Sequence, residues 1–116
     1  MNKNFQYALP SSFDAIEYPD FESRIEIYDW VIYQTKELML LCNRFLSRDL
    51  KTRSFISYFD ETNSTIRNAL FLSRNFELTN EEEKRESSSK ILEIQKLIDQ
   101  FPLICEDLKR CPLVEE

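Results

Sequence analysis

The chain contains no glycine in 116 residues, and this constrains its fold more than any motif it carries. Glycine supplies the positive φ of tight hairpins and bulges at no steric cost, so a sheet protein without it has few ways to turn. Phosphate-cradling loops need glycine for a different reason: the backbone must approach the ligand closely. Neither the Rossmann nor the P-loop pattern can be written without it. The expectation is an all-α chain whose helices are joined by turns of Asn, Asp, Ser and Pro.

Histidine is also absent. The usual general base, the usual transition-metal ligand and the near-neutral pH switch are therefore missing. Cys42, Cys105 and Cys111 are odd in number and widely spaced, with no C-x-x-C pair to hold zinc or run thiol exchange. They read as thiols of a reducing compartment. No apolar run is long enough to span a bilayer, and no basic segment followed by an apolar one opens the chain, so a cytoplasmic location is expected. Hydrophobic residues make up 42% of the sequence, enough for one core.

Residues 1–20 read as an N-terminal arm bearing Pro10 and Pro19, with large apolar side chains at Phe5, Tyr7, Leu9, Phe13, Ile16 and Tyr18. A helical bundle domain follows over residues 21–112, and residues 113–116 form an acidic tail. The first helix is expected after Pro19 with Asp20 as its N-cap. Phe21, Ile25, Tyr28, Ile32, Thr35, Met39, Cys42 and Leu46 form one apolar stripe on it; Ile27, Val31, Leu38, Leu41 and Phe45 form a second beside it. Two adjoining stripes make a wide apolar face, so this helix should be the most buried.

A polar elbow spans Ser47 to Ser54. The second helix carries Phe55, Phe59, Thr62, Ile66, Ala69 and Ser73 on one stripe. The third opens on a capping box, Thr79 to Glu82, with Glu81, Glu82 and Glu83 complementing the helix dipole. Its first turns, Glu81 to Lys90, are polar and are expected to be solvated or to project past the core. Ile91, Ile94, Ile98, Phe101, Cys105 and Leu108 then resume a three-four rhythm. Pro102 either kinks this helix or begins a fourth. The architecture expected is an antiparallel up-down bundle of three long helices.

Chemistry is hard to place on these elements. Glu22, Glu26 and Asp29 fall near one face of the first helix, but a di-iron bundle needs Glu-x-x-His pairs as well. Cys42 lies inside an apolar stripe, whereas reactive cysteines sit in basic, partly open surroundings. No catalytic, cofactor-binding or metal-binding residue is nominated, and the chain reads as a non-enzyme that needs no cofactor.

Charge and aromatic placement say more. Residues 76–116 carry a net charge of −5, whereas residues 21–75 carry +1. Within that middle portion Arg44, Arg48, Lys51 and Arg53 cluster at the first elbow. Trp30 and Tyr33 lie off the main stripe of the first helix, and Phe71 and Phe76 pose the same question on the second. Aromatic side chains on an open face favour protein interfaces.

Two stretches, Phe21–Tyr28 (FESRIEIY) and Ser57–Leu70 (SYFDETNSTIRNAL), together with the turn from Leu78 to Glu83, resemble the four-helix-bundle proteins encoded in 23S rRNA intervening sequences and the accessory variability proteins of retroelements. The chain departs from that pattern in three ways. It has Phe45-Leu46 where the family has a Phe-Pro-x-x-Glu turn. It lacks the Asn-Ile-Ala-Glu-Gly stretch. It is shorter by one helix's worth of sequence between its second and third helices. The resemblance implies a bundle that self-associates.

The function expected is that of a small interaction module: an adaptor, inhibitor or regulatory subunit. Trp30, Tyr33, Phe71 and Phe76 are its contact surface, with Arg44, Arg48, Lys51 and Arg53 as steering charge. The partner is another protein or a second copy of the chain; no membrane is involved. The alternative is an accessory factor of a nucleic-acid or ribonucleoprotein complex that uses the basic elbow, a reading that the overall charge of −6 disfavours.

Overall fold

The computed structural model describes residues 20–115, and the N-terminal arm expected over residues 1–20 falls outside them except for Asp20. The fold is helical, with α1 (Arg24–Ser47), α2 (Arg53–Leu72), one 3₁₀ turn (Ser73–Asn75) and α3 (Glu81–Arg110).

Helix α1 forms the spine. Ile27, Tyr28, Val31, Ile32, Thr35, Leu38, Cys42 and Phe45 are all buried on it, drawn from both stripes, which matches the wide apolar face. Its N-cap is Ser23, whose hydroxyl accepts from the Glu26 N–H at 3.1 Å. Asp20 lies three residues too early to cap. The expected start was misplaced because Asp20 and Ser23 are both good capping residues and periodicity does not separate them.

The end of α1 shows how a chain without glycine turns. Asp49 takes the left-handed conformation, φ 54°. The Asp49 N–H reaches the Leu46 carbonyl at 3.0 Å, and the Leu50 N–H reaches the Phe45 carbonyl at 3.3 Å. These two bonds make a Schellman closure with Asp where glycine usually stands. Asp tolerates this region better than most L-residues.

Helix α2 opens on Thr52, whose hydroxyl accepts from the Phe55 N–H at 3.1 Å. Phe55, Thr62, Ile66 and Ala69 are buried along it, and Ser73 is buried just beyond, as the stripe requires. Phe55 stacks on Phe45 of α1 with ring centroids 4.2 Å apart, locking the two helices beside their turn. At the other end the Arg24 Nε donates to the Phe76 carbonyl at 2.9 Å.

Helix α3 is capped one residue later than the sequence implied. The Asn80 side chain accepts from the Glu83 N–H at 2.8 Å, and the Glu83 carboxylate accepts from the N–H and hydroxyl of Thr79. Those Thr79 bonds hold the Glu83 carboxyl below its ordinary pKa. The polar first turns do not simply project past the core. Ser87 is buried, and Lys90 donates to Asp29 of α1 at 2.5 Å. Nor does Pro102 begin a fourth helix: α3 runs through it without interruption. A mid-helix proline costs about 3 kcal/mol and leaves the carbonyl four residues earlier, here that of Ile98, without its helical donor. Ile94 and Leu108, packed into the core on either side, keep the helix continuous across that defect.

Candidate functional site

The residues singled out from the sequence divide into those held by the fold and those left open. Trp30 is half-buried against the core and meets Phe21 edge-on with centroids 5.7 Å apart. Phe76 is half-buried too. Tyr33 is 60% exposed and Phe71 is 66% exposed. The Arg74 guanidinium lies over the Phe71 ring, 5.4 Å from its centroid. The four aromatics therefore do not form one patch: two pack inward and two stand open on different helices.

The basic elbow is likewise divided. Lys51 Nζ donates to the Leu108 carbonyl at 2.9 Å and to the Lys109 carbonyl at 3.3 Å. It caps the C-terminal end of α3, where the helix dipole favours a cation. The Lys51 backbone completes a clasp: its N–H donates to the Pro112 carbonyl at 3.0 Å, and its carbonyl accepts from Val114 N–H at 2.8 Å. Lys51 thus fastens the α1–α2 turn to the chain that follows α3, and its charge is spent there. Arg44, Arg48 and Arg53 remain exposed. Arg53 borders a hollow of about 310 Å³ with Leu113, Val114 and Glu115.

A larger concave surface among the described residues lies elsewhere, lined by none of these side chains. Both α2 and α3 pack on α1, but no Cα of α2 comes within 8 Å of a Cα of α3. The gap is a groove made of two hollows, one of about 490 Å³ and one of about 370 Å³, joined at Leu70 and Ile98, which border both. Arg24, Tyr28 and Thr35 of α1 lie along its floor. Phe59, Asn63, Ile66, Leu70 and Ser73 make one wall, at alternating spacings of four and three. Ile91, Ile94, Ile98, Phe101 and Cys105 make the other, at alternating spacings of three and four. Near the elbow the walls meet, where Phe59 and Phe101 touch edge to face with centroids 6.0 Å apart.

Helix α3 leaves part of its apolar stripe open. Its stripe reads as core in the sequence, yet Ile91 is 45% and Ile98 is 39% exposed. Only Ser87, Ile94 and Leu108 are buried along the whole helix. The charge of the lining runs against the charge of the protein. Among the described residues Arg24, Arg67 and Arg74 border the groove and no carboxylate does, on a chain with a net charge of −6.

The buried thiols are poorly placed for covalent chemistry. Cys42 is fully buried, and desolvation, with Cys105 nearby, pushes its thiol up to about 12. A thiol that stays protonated near neutral pH is a poor nucleophile. Cys111 is buried under the elbow and its thiol is also raised, first by desolvation and then by Asp49. All three cysteines are free. Among the described residues no group of His, Cys, Asp and Glu is placed to hold a metal ion, and no helix is long and apolar enough to cross a membrane. Compared with known protein families, curated proteins and solved structures, the chain matches none of them.

Proposed function

We propose that this chain is a non-catalytic protein–protein interaction module, an adaptor, inhibitor or regulatory subunit, whose docking face is the groove between α2 and α3. The observation that carries this reading is the exposed Ile91 and Ile98 in a stripe with core periodicity. Apolar residues repeating every three and four positions exist to meet a neighbouring helix. Here α1 occupies only one side of that stripe. The contacts of Phe45 with Phe55 and of Arg24 with Phe76 fit an up-down-up path for the three helices, and no described helix fills the fourth position of such a bundle. Phe71, beside the groove with Arg74 over its ring, extends the contact surface expected from the aromatic residues.

A ribonucleoprotein role through the basic elbow has less support. Of its four cations, the Lys51 ammonium is already held by two carbonyls.

Cys105 stands at the groove and provides the test. A benzophenone attached there should cross-link to a discrete protein in an extract of the source cells. The same label on Glu37→Cys in a Cys105→Ala background, on an exposed position of α1 outside the groove, should not capture that protein. Equal capture from both positions, or none from Cys105, would reject the groove as the docking face.

A further inference from the structure

The reading above leaves the chemistry of the occupant open, and the groove itself specifies it. We infer that the occupant is an amphipathic α-helix of a partner protein, acidic along its flanks, that lies between α2 and α3 as the fourth helix of the bundle. This inference rests on the groove being the docking face.

Three properties of the groove lead to it. The first is period. Both walls repeat at alternating spacings of three and four, which is the rhythm of helices that pack side by side at a small crossing angle. An extended strand would instead demand an open sheet edge, and the groove walls are helices whose backbone groups are bonded internally. The second is length. From Ile91 to Phe101 the α3 wall rises ~15 Å, at ~1.5 Å per residue, before the Phe59–Phe101 contact narrows the groove towards Cys105. That accommodates about three turns of helix. The third is charge. Arg24, Arg67 and Arg74 border the groove with no opposing carboxylate among the described residues. A helix with Leu or Ile on its inner face and Glu on both flanks would meet three cations as it enters. A basic helix would meet the same three as repulsion in a low-dielectric cleft.

Period, length and sign of charge thus converge on one class of ligand. The chain's own helices fit this description less well. The acidic stretch of α3, Glu81 to Glu86, has no apolar stripe through it, so a second copy cannot offer it as the inserted helix.

The test uses the full chain and two synthetic 14-residue peptides of identical apolar pattern. One carries Glu at its flanking positions and the other carries Lys. Binding is read by fluorescence anisotropy at low salt, alongside the mass of the free chain by light scattering and the Cys105 cross-link described above. The acidic peptide should bind at least tenfold more tightly than the basic one. Ile98→Glu should abolish that binding, and Arg67→Glu with Arg74→Glu should weaken it at least tenfold. Equal affinity for both peptides overturns the acidic occupant. So does a chain that is dimeric with its Cys105 shielded, which assigns the groove to a second copy. So does competition by a peptide of residues 1–19, which assigns it to the chain's own arm. If neither peptide binds while Cys105 still captures a protein, the helical occupant is wrong and the docking face stands. If both experiments fail, the docking face falls with it.

Discussion

Thr62 is 1% exposed, and its hydroxyl finds no hydrogen-bond partner. Burying a hydroxyl without a partner costs about 1–3 kcal/mol relative to leaving it in water. Thr62→Val removes the hydroxyl and puts a methyl group of nearly the same size in its place. Thr and Val have similar helix propensities, so the substitution changes little else. Thr62→Val should therefore stabilise the fold by about 1–2 kcal/mol. For a domain near 100 residues, each kcal/mol of that gain raises the thermal midpoint by about 4–8 °C. Thr65 provides the control on the same helix. Its hydroxyl donates to the Glu61 carbonyl at 2.9 Å and is partly open to solvent. Thr65→Val should change stability by no more than about 0.5 kcal/mol, as surface substitutions do. Calorimetry or thermal unfolding followed by circular dichroism decides between them. A Thr62→Val protein no more stable than the parent would mean that the hydroxyl is bonded in solution, for instance back to a carbonyl four residues earlier.

Phe55 is 1% exposed and stacks on Phe45; Phe55→Ala should cost about 3–5 kcal/mol in denaturant titration, a large fraction of the stability of so small a domain. Asp49→Val should cost about 1–2 kcal/mol, because a β-branched residue resists the left-handed φ of 54° that Asp49 holds; Asp49→Asn should be tolerated. Under native conditions a maleimide should label Cys105 well before Cys42 or Cys111, both of which are buried. The raised pKa of Cys42 also sets the sign of an alkaline dependence. Its thiol ionises at about 9 when unfolded and at about 12 when folded. The unfolded state therefore loses its proton first, and stability falls as pH rises from about 9 towards 12, at a limiting slope of about 1.4 kcal/mol per pH unit. Cys42→Ala should reduce that slope in pH-dependent denaturation.

The parts of the fold legible in the sequence are those set by periodicity within one helix. The stripe Phe55, Phe59, Thr62, Ile66, Ala69, Ser73 is buried as its spacing requires except at Phe59, which is partly buried, and both stripes of α1 contribute to the core. Boundaries were less legible where two residues satisfy the same capping rule. Asp20 and Ser23 compete for the start of α1, and the run Glu81-Glu82-Glu83 lets either Thr79 or Asn80 sit three residues before a glutamate. Lys51 shows a different limit. Its spacing places it with three arginines, but its carbonyl partners lie 57 and 58 residues away, and a local charge pattern carries no trace of them.

The groove was hidden for a more general reason. Ile91, Ile94, Ile98, Phe101 and Cys105 follow a clean three-four rhythm, which a sequence reading assigns to the chain's own core. The rhythm says that the stripe meets another helix; it does not say whose. The one sign available was the length of chain between α2 and α3, which is too short for another helix. Among the described residues, whether Ile98 is finished core or waiting surface is decided by where α2 comes to rest.

That question also gives the most direct measurement of the central claim: the stability of Ile98→Glu against the parent in urea. Ile98 is 39% exposed in the free chain and its side chain opens into the groove. A glutamate there keeps its carboxylate in water, so the account predicts a loss of about 1 kcal/mol, the apolar burial forfeited, together with loss of cross-linking from Cys105. A loss of 3 kcal/mol or more, on the scale of about 3–5 for an uncompensated buried charge, would place Ile98 in a closed core and contradict the existence of an open docking groove.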